Sequence, residues 1–255
     1  MKRAQHTRTG RREVALAVLL LAPLLYLFLL HAAPIPQDRG YHLFADARAF
    51  LGLPNFGNVV TNLPFLIVGA LGIERCLRAP ACGARLSWTV FFAAVALVSF
   101  GSAYYHLAPG DDALLWDRLP MAVGFMALLA ALLAEHLSPA LERPALALAI
   151  AAGVASVVLW RMSEDLRPYI WVQTAPFLAI LFLLAAYPGR YSHRHYLLYG
   201  AGFYAVAKIA EHYDHGIYAL TGTAISGHSL KHLLAAAAPY CVVLMLARRA
   251  PIAKP

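Results

Sequence analysis

Charged side chains are scarce in this sequence: Asp, Glu, Lys and Arg together make up 13% of its 255 residues, against 61% that are hydrophobic. Soluble domains carry about 25% charged residues, so a chain with water as its main solvent is excluded. Cysteine is scarcer still, with Cys76, Cys82 and Cys241 alone. The first two are expected in a cytoplasmic loop and the third in a helix, so no disulfide framework is indicated. Internal repeats and low-complexity tracts are also lacking, beyond an Ala/Leu bias. One domain is expected.

What is present instead is a succession of apolar runs, with a mean hydropathy of +0.62. Crossing a hydrocarbon core of roughly 30 Å takes about 20 helical residues. Spans of that order are expected at Val14 to Leu30, Val59 to Ile73, Leu86 to Tyr105, Leu115 to Ala134, Ala145 to Trp160, Tyr169 to Tyr187, Tyr196 to Glu211 and Ser226 to Leu246. Backbone polar groups cannot go unpaired in lipid, so these runs are helices. The expected fold class is all-α, a polytopic transmembrane helical bundle in the cell membrane. It divides into a basic tail at 1–13, an extra N-terminal transmembrane helix at 14–32, an outer or interfacial segment at 33–53, a seven-helix core at 54–247 and a second basic tail at 248–255. A signal peptide ending near His31-Ala32-Ala33 is the alternative for the N-terminus. The 33–53 segment contains a short amphipathic stretch, Tyr41 to Leu51, suited to lie along the interface like a lid.

Lys and Arg are distributed unevenly between alternate loops. Lys2, Arg3, Arg8, Arg11 and Arg12, then Arg75, Arg78 and Arg85, then Arg143, then Arg190 and Arg194, then Arg248, Arg249 and Lys254 fall on one side. The positive-inside rule makes that side, and both termini, cytoplasmic. The pI of about 9.6 is then explained by these loops: anionic lipid headgroups are the expected partner, and nucleic acid is not.

Ionisable side chains inside spans are functional hypotheses by default, and here they collect at one level toward the outer face. His228 and His232 stand at i and i+4, one turn apart on one helical face, a spacing that suits chelation of a metal ion. The segment has no Glu of its own, so a proton acceptor must come from elsewhere. Ser102 and His106 repeat the i, i+4 spacing at the end of another span. Asp117 returns from the short turn after it to the same depth, as a proton acceptor or as a second-shell partner of a ligand. Three histidines would leave a fourth tetrahedral position open, the arrangement of catalytic zinc. Lys208, Glu211, His212 and His215, with Asp214 adjacent, form a further stripe, read as a paired structural network. Asn55, Asn58, Asn62, Arg118 and Gln173 read as interhelical hydrogen-bonding residues.

At these residues the sequence resembles the alkaline ceramidases, within the CREST superfamily of seven-helix membrane hydrolases. The likeness covers about residues 54 to 247. It is carried by Asn58-Val59-Val60-Thr61-Asn62, Ser102 with His106, Asp117, and His228 with His232. It implies a seven-helix core with zinc held by His106, His228 and His232, Asp117 helping to activate water, Ser102 near the reacting carbonyl, and hydrolysis of an N-acyl sphingoid amide. One departure concerns the acidic N-terminal calcium site of the eukaryotic ceramidases. Only Asp38 and Asp46 stand there, with Asn55 where an acid is expected, so calcium is doubtful. The substrate is then a membrane lipid entering from the bilayer, and an N-acyl or ester lipid other than ceramide stays open. Two rival functions are haem ligation by the histidines and a receptor or transporter with a midplane ligand site.

Overall fold

The computed structural model describes residues 2–29, 33–78 and 83–252, with side chains from residue 10 onward. Cys82, Lys254 and the His31-Ala32 part of the possible cleavage site lie outside them. The described residues form a helical bundle without strands, as the apolar runs require.

The helices are α1 (Lys2–Leu29), α2 (Phe56–Val60), α3 (Leu63–Arg78), α4 (Arg85–Leu107), α5 (Asp111–His136), α6 (Glu142–Ser163), α7 (Arg167–Ala186), α8 (Tyr196–His212), α9 (Asp214–Leu220) and α10 (Gly227–Arg248). Seven stretches among the described residues are long and apolar enough to cross a membrane, including Gly10–Leu29, Phe56–Arg78 and Gly227–Arg248. The expected span Tyr196 to Glu211 is a helix, but at 17 residues it reaches only about 25 Å. This is a multi-pass membrane protein.

From α3 to α10 the long helices close into a ring. Each packs on its neighbours in chain order, and α10 returns between α8 and α3; α7 and α8 are the loosest adjacent pair. On its outside α1 lies against α7, where the Trp171 indole donates to the Leu20 carbonyl at 2.7 Å and Leu16 is buried.

The expected helix from Val59 to Ile73 is broken in two. Pro64, the second residue of α3, has no N–H and clashes with a continuing helix. At the break Asn62 N turns to Val59 O at 3.3 Å, and the Asn62 side chain takes up the Asn58 carbonyl through Nδ2 at 2.7 Å, while Thr61 Oγ1 adds a second donor to Gly57 O at 2.7 Å. Hydropathy does not register such a break, because both halves are apolar.

Two glycines set the approach of the elements at one end of the ring. A Cβ on Gly101 would stand 2.1 Å from the Trp116 carbonyl oxygen, and one on Gly227 2.2 Å from that of Ala210. Only glycine lets α4 lie this close to α5, and the start of α10 this close to α8. The segment 33–55 crosses the same end. It forms a 3-10 turn at Arg39–His42, and is pinned by Leu166 N to Ile35 O at 2.9 Å and Ala45 N to Asp214 Oδ2 at 2.9 Å.

Candidate metal centre and lipid cavity

Ser102 and His106 end α4, the turn at Leu107 to Gly110 reverses the chain, and Asp117 then comes back alongside them on α5. The N-terminus of α10 is set by Ser226, whose side chain accepts from Ser229 N at 3.0 Å, which aims His228 and His232 at the same point. All three histidines are buried. His106 Nε2 lies 3.3 Å from His232 Nε2 and 3.3 Å from His228 Nε2, and one ligand nitrogen from each falls within 4.8 Å of the others.

The tautomers can be argued from the partners. Thr61 Oγ1 already donates to Gly57 O, so toward His232 Nδ1, 2.9 Å away, it is the acceptor. That places the proton on Nδ1 and leaves a lone pair on Nε2. At His228 the Lys231 ammonium, which can only donate, stands 3.3 Å from Nε2. Nε2 there is also a lone-pair site. Between these two lone pairs stands His106 Nε2, and nitrogens this close are held together by a proton on His106 Nε2 or by a cation among the three. A tetrahedral ion with bonds of about 2.0–2.1 Å to nitrogen needs its ligands roughly 3.3–3.4 Å apart, which the two measured separations match. The residues fit a zinc ion. They do not fit haem, because nitrogens 3.3 Å apart leave no slot for a macrocycle between them.

Asp117 and Ser102 are both buried. Together with His232 they line a cavity of about 250 Å³. Its polar end holds these groups, and its far end is apolar, with Phe91, Leu128, Leu197 and Val242. Arg118 to Leu128 on α5 and His232 to Val242 on α10 each cover roughly 15 Å of helix. The cavity is long enough for an extended hydrocarbon chain.

Supporting residues surround the triad. Asn55, expected to hydrogen-bond between helices, donates through Nδ2 to His106 O at 2.9 Å, and Asp214, expected beside the polar stripe, accepts from His228 N through Oδ1 at 2.7 Å. Phe44, which no motif in the sequence marks, packs its ring 4.7 and 4.6 Å from those of His106 and His228. Lys231 was passed over because it sits inside the His228/His232 repeat; its ammonium pairs with Glu211 at 2.7 Å. The expected stripe divides. Lys208 and Glu211 are paired, whereas His212 is exposed and α8 ends there, so that His215 belongs to α9 and reaches Leu43 O at 3.3 Å. Asn58 Oδ1 accepts from Ser229 Oγ at 2.8 Å, an interhelical bond of the kind expected of it.

Two groups of the crossing segment are electrostatically tuned. Burial, with the Glu211 carboxylate beside it, pushes the Tyr41 phenol well above its ordinary range, and it donates to Glu211 Oε1 at 3.2 Å. Arg48 bonds hold the Asp46 carboxyl below the usual carboxylate value, with both oxygens taken by the guanidinium at 2.8 Å. Asp38 caps its own turn through Gly40 N at 2.9 Å.

Against this geometry stands one decisive likeness. The family model described as Ceramidase matches residues 53–201. The chain belongs to the ceramidase family. The matched stretch includes Ser102, His106 and Asp117 but stops before α10, so the two remaining histidines of this ceramidase-family chain join the others through the tertiary structure. No curated protein matches it in sequence. Family membership supports an amidohydrolase acting on a ceramide-type lipid, and the buried histidine triad is a place where a metal ion could be held.

Proposed function

We propose that the protein is a zinc-dependent intramembrane hydrolase that cleaves the amide of a ceramide-like N-acyl lipid to a free fatty acid and an amine lipid. The observation that carries this reading is the meeting of three buried histidines, with His106 Nε2 3.3 Å from Nε2 of both His228 and His232, beside a carboxylate and a hydroxyl at the polar end of an apolar cavity. His106, His228 and His232 would hold zinc. Bound there with a fourth position open, the ion would acidify water and polarise the amide carbonyl.

The chain's own groups have separate tasks. The apolar part of the cavity takes the acyl chain and excludes water from it, which draws the amide to the polar end. Asp117 accepts the proton of the attacking water and returns it to the leaving amine nitrogen. Ser102 donates to the carbonyl oxygen as its charge develops. Thr61 and Asp214 keep the His232 ring and the α10 backbone in position. The loose α7–α8 contact suits lateral entry of a lipid, since the segment 33–55 crosses the end of the ring. The Lys- and Arg-rich loops are assigned to the cytoplasm with both termini, which puts the site toward the outer face.

The test is metal content and lipid cleavage on purified protein. About one zinc per chain is expected, with release of fatty acid from ceramide that stops on chelation. His228→Ala and His232→Ala should each lose most of the zinc, because two ligands bind far more weakly than three. Unchanged zinc in both variants, or no cleavage of any amide lipid by the zinc-loaded protein, would sink the assignment.

A further inference from the structure

Beside Asp117 on α5, Arg118 is a second buried charge that the proposed chemistry does not use. Only 6% of its surface is exposed, it lines the polar end of the cavity, and no carboxylate among the described residues lies within 4.0 Å of it to form an ion pair. Its guanidinium is held by rings instead, 4.1 Å from the centre of Trp160, 4.9 Å from Tyr169 and 5.7 Å from Tyr41. One amino group donates to the Gln37 side-chain oxygen, and the other, Nη1, has no hydrogen-bond partner.

A guanidinium taken out of water without a carboxylate is normally accounted for by a ring cage, a ligand or both. The cage is present here, but it leaves donors and charge over. Around the same end Glu211 is shared by Lys208 and Lys231. Among the side chains that line the cavity, three cations, Lys208, Lys231 and Arg118, therefore face two carboxylates, Asp117 and Glu211, before any metal charge is added. The excess is positive, and Arg118 is the cation with no acid in contact. Planar guanidinium donors match anionic oxygen groups better than any other ligand chemistry.

We propose that Arg118, with Gln37, is a headgroup subsite that binds an anionic oxygen group carried on the amine half of the lipid. The inference rests on the amide-hydrolase reading and narrows its substrate class. With the acyl chain laid along α5 and α10 toward Leu128 and Val242, the amine half is left at the end where Arg118 and the crossing segment meet. Gln37, neutral and from that segment, orients the guanidinium without neutralising it.

The test uses two lipids that differ only in the charged group, ceramide and ceramide 1-phosphate of one acyl length, with free fatty acid as a third ligand. The zinc-loaded wild-type protein should favour the phosphate by about 10- to 100-fold in kcat/KM, mainly through KM, as a charge-assisted contact gives. Arg118→Gln should remove that preference, lowering kcat/KM for the phosphate about 10- to 100-fold more than for ceramide. Gln37→Glu, at a half-exposed position outside the helices, should also remove it by giving Arg118 a carboxylate of its own, and serves if Arg118→Gln does not fold. Equal or poorer handling of the phosphate by wild type, or equal losses for both lipids in both variants, would overturn the proposal. Should wild type cleave neither lipid, the hydrolase reading fails by itself; ligand-induced shifts in thermal unfolding then decide the subsite, supporting it if the phosphate shifts wild type more than ceramide does and Gln37→Glu abolishes the difference. Arg118-dependent stabilisation by free fatty acid with no advantage for the phosphate would assign Arg118 to the product carboxylate and overturn the headgroup role.

Discussion

The two ends of the bundle each bury a cluster of polar side chains, and they are built on opposite principles. At the end where the Lys- and Arg-rich loops gather, Glu135 is saturated: it accepts from the Trp88 indole at 2.7 Å and from Arg249 Nη1 at 3.0 Å, with Nη2 of the same guanidinium 2.9 Å away as an ion pair. Arg249 also lies 4.4 Å from the Tyr191 ring. At the other end three histidine nitrogens face one another, and Arg118 has no acid in contact. The first cluster has its charges paired within the fold and ties α4, α5 and the chain beyond α10 together. The second is left with an excess of positive charge and a set of converging nitrogens. Charge paired within the fold marks a structural network, and charge left unpaired marks a site.

The difference is most sharply tested at Asp117. If it handles the proton, Asp117→Asn should keep the fold and most of the zinc yet lower turnover by about 10²- to 10⁴-fold. A loss of zinc affinity of roughly 10- to 100-fold, with turnover fully restored by excess zinc, would instead make Asp117 an orienter of a ligand. A zinc titration of the variant separates the two.

At the saturated end the effect should fall on stability alone. Glu135→Gln leaves Arg249 buried without its counter-charge, which is expected to destabilise by about 3–5 kcal/mol while zinc per folded chain stays at the wild-type level. Equal loss of zinc and stability would erase the contrast between the ends. Smaller again is Ser102→Ala, expected to slow turnover by about 10²-fold with unchanged zinc, because the ion carries part of the oxyanion charge. Smallest is Thr61→Val, which removes the acceptor of the His232 Nδ1 proton: zinc affinity should fall by about 10- to 100-fold, and saturating zinc should restore turnover. Unchanged affinity would show that packing alone holds that ring.

Much of the site was legible before folding. His228 with His232 and Ser102 with His106 are i, i+4 pairs, and one turn of helix is a local property. That Asp117 returns to their depth followed from the short turn after His106. The helix break at Thr61 and Asn62 was not legible from hydropathy, although Pro64 marks it. Nor was the pairing of Thr61 with His232, which spans 171 positions and depends on how α2 meets α10. Lys231 lay hidden because a single lysine beside two histidines looks the same whether it snorkels to water or points inward to Glu211.

The sequence by itself determined that this chain lives in a membrane as a helical bundle. Apolar runs, the Lys and Arg bias and helical spacing are each decided within a few residues, and lipid leaves the backbone one way to satisfy its hydrogen bonds. Only the tertiary structure decided that His106 Nε2 meets those of His228 and His232 at 3.3 Å each, that Phe44 covers two of their rings, that the cavity runs from Asp117 to an apolar far end, and that Arg118 is left without an acid. Those facts depend on how closely whole helices approach, and here that approach is set where Gly101 and Gly227 present no side chain to the backbone of a neighbouring helix.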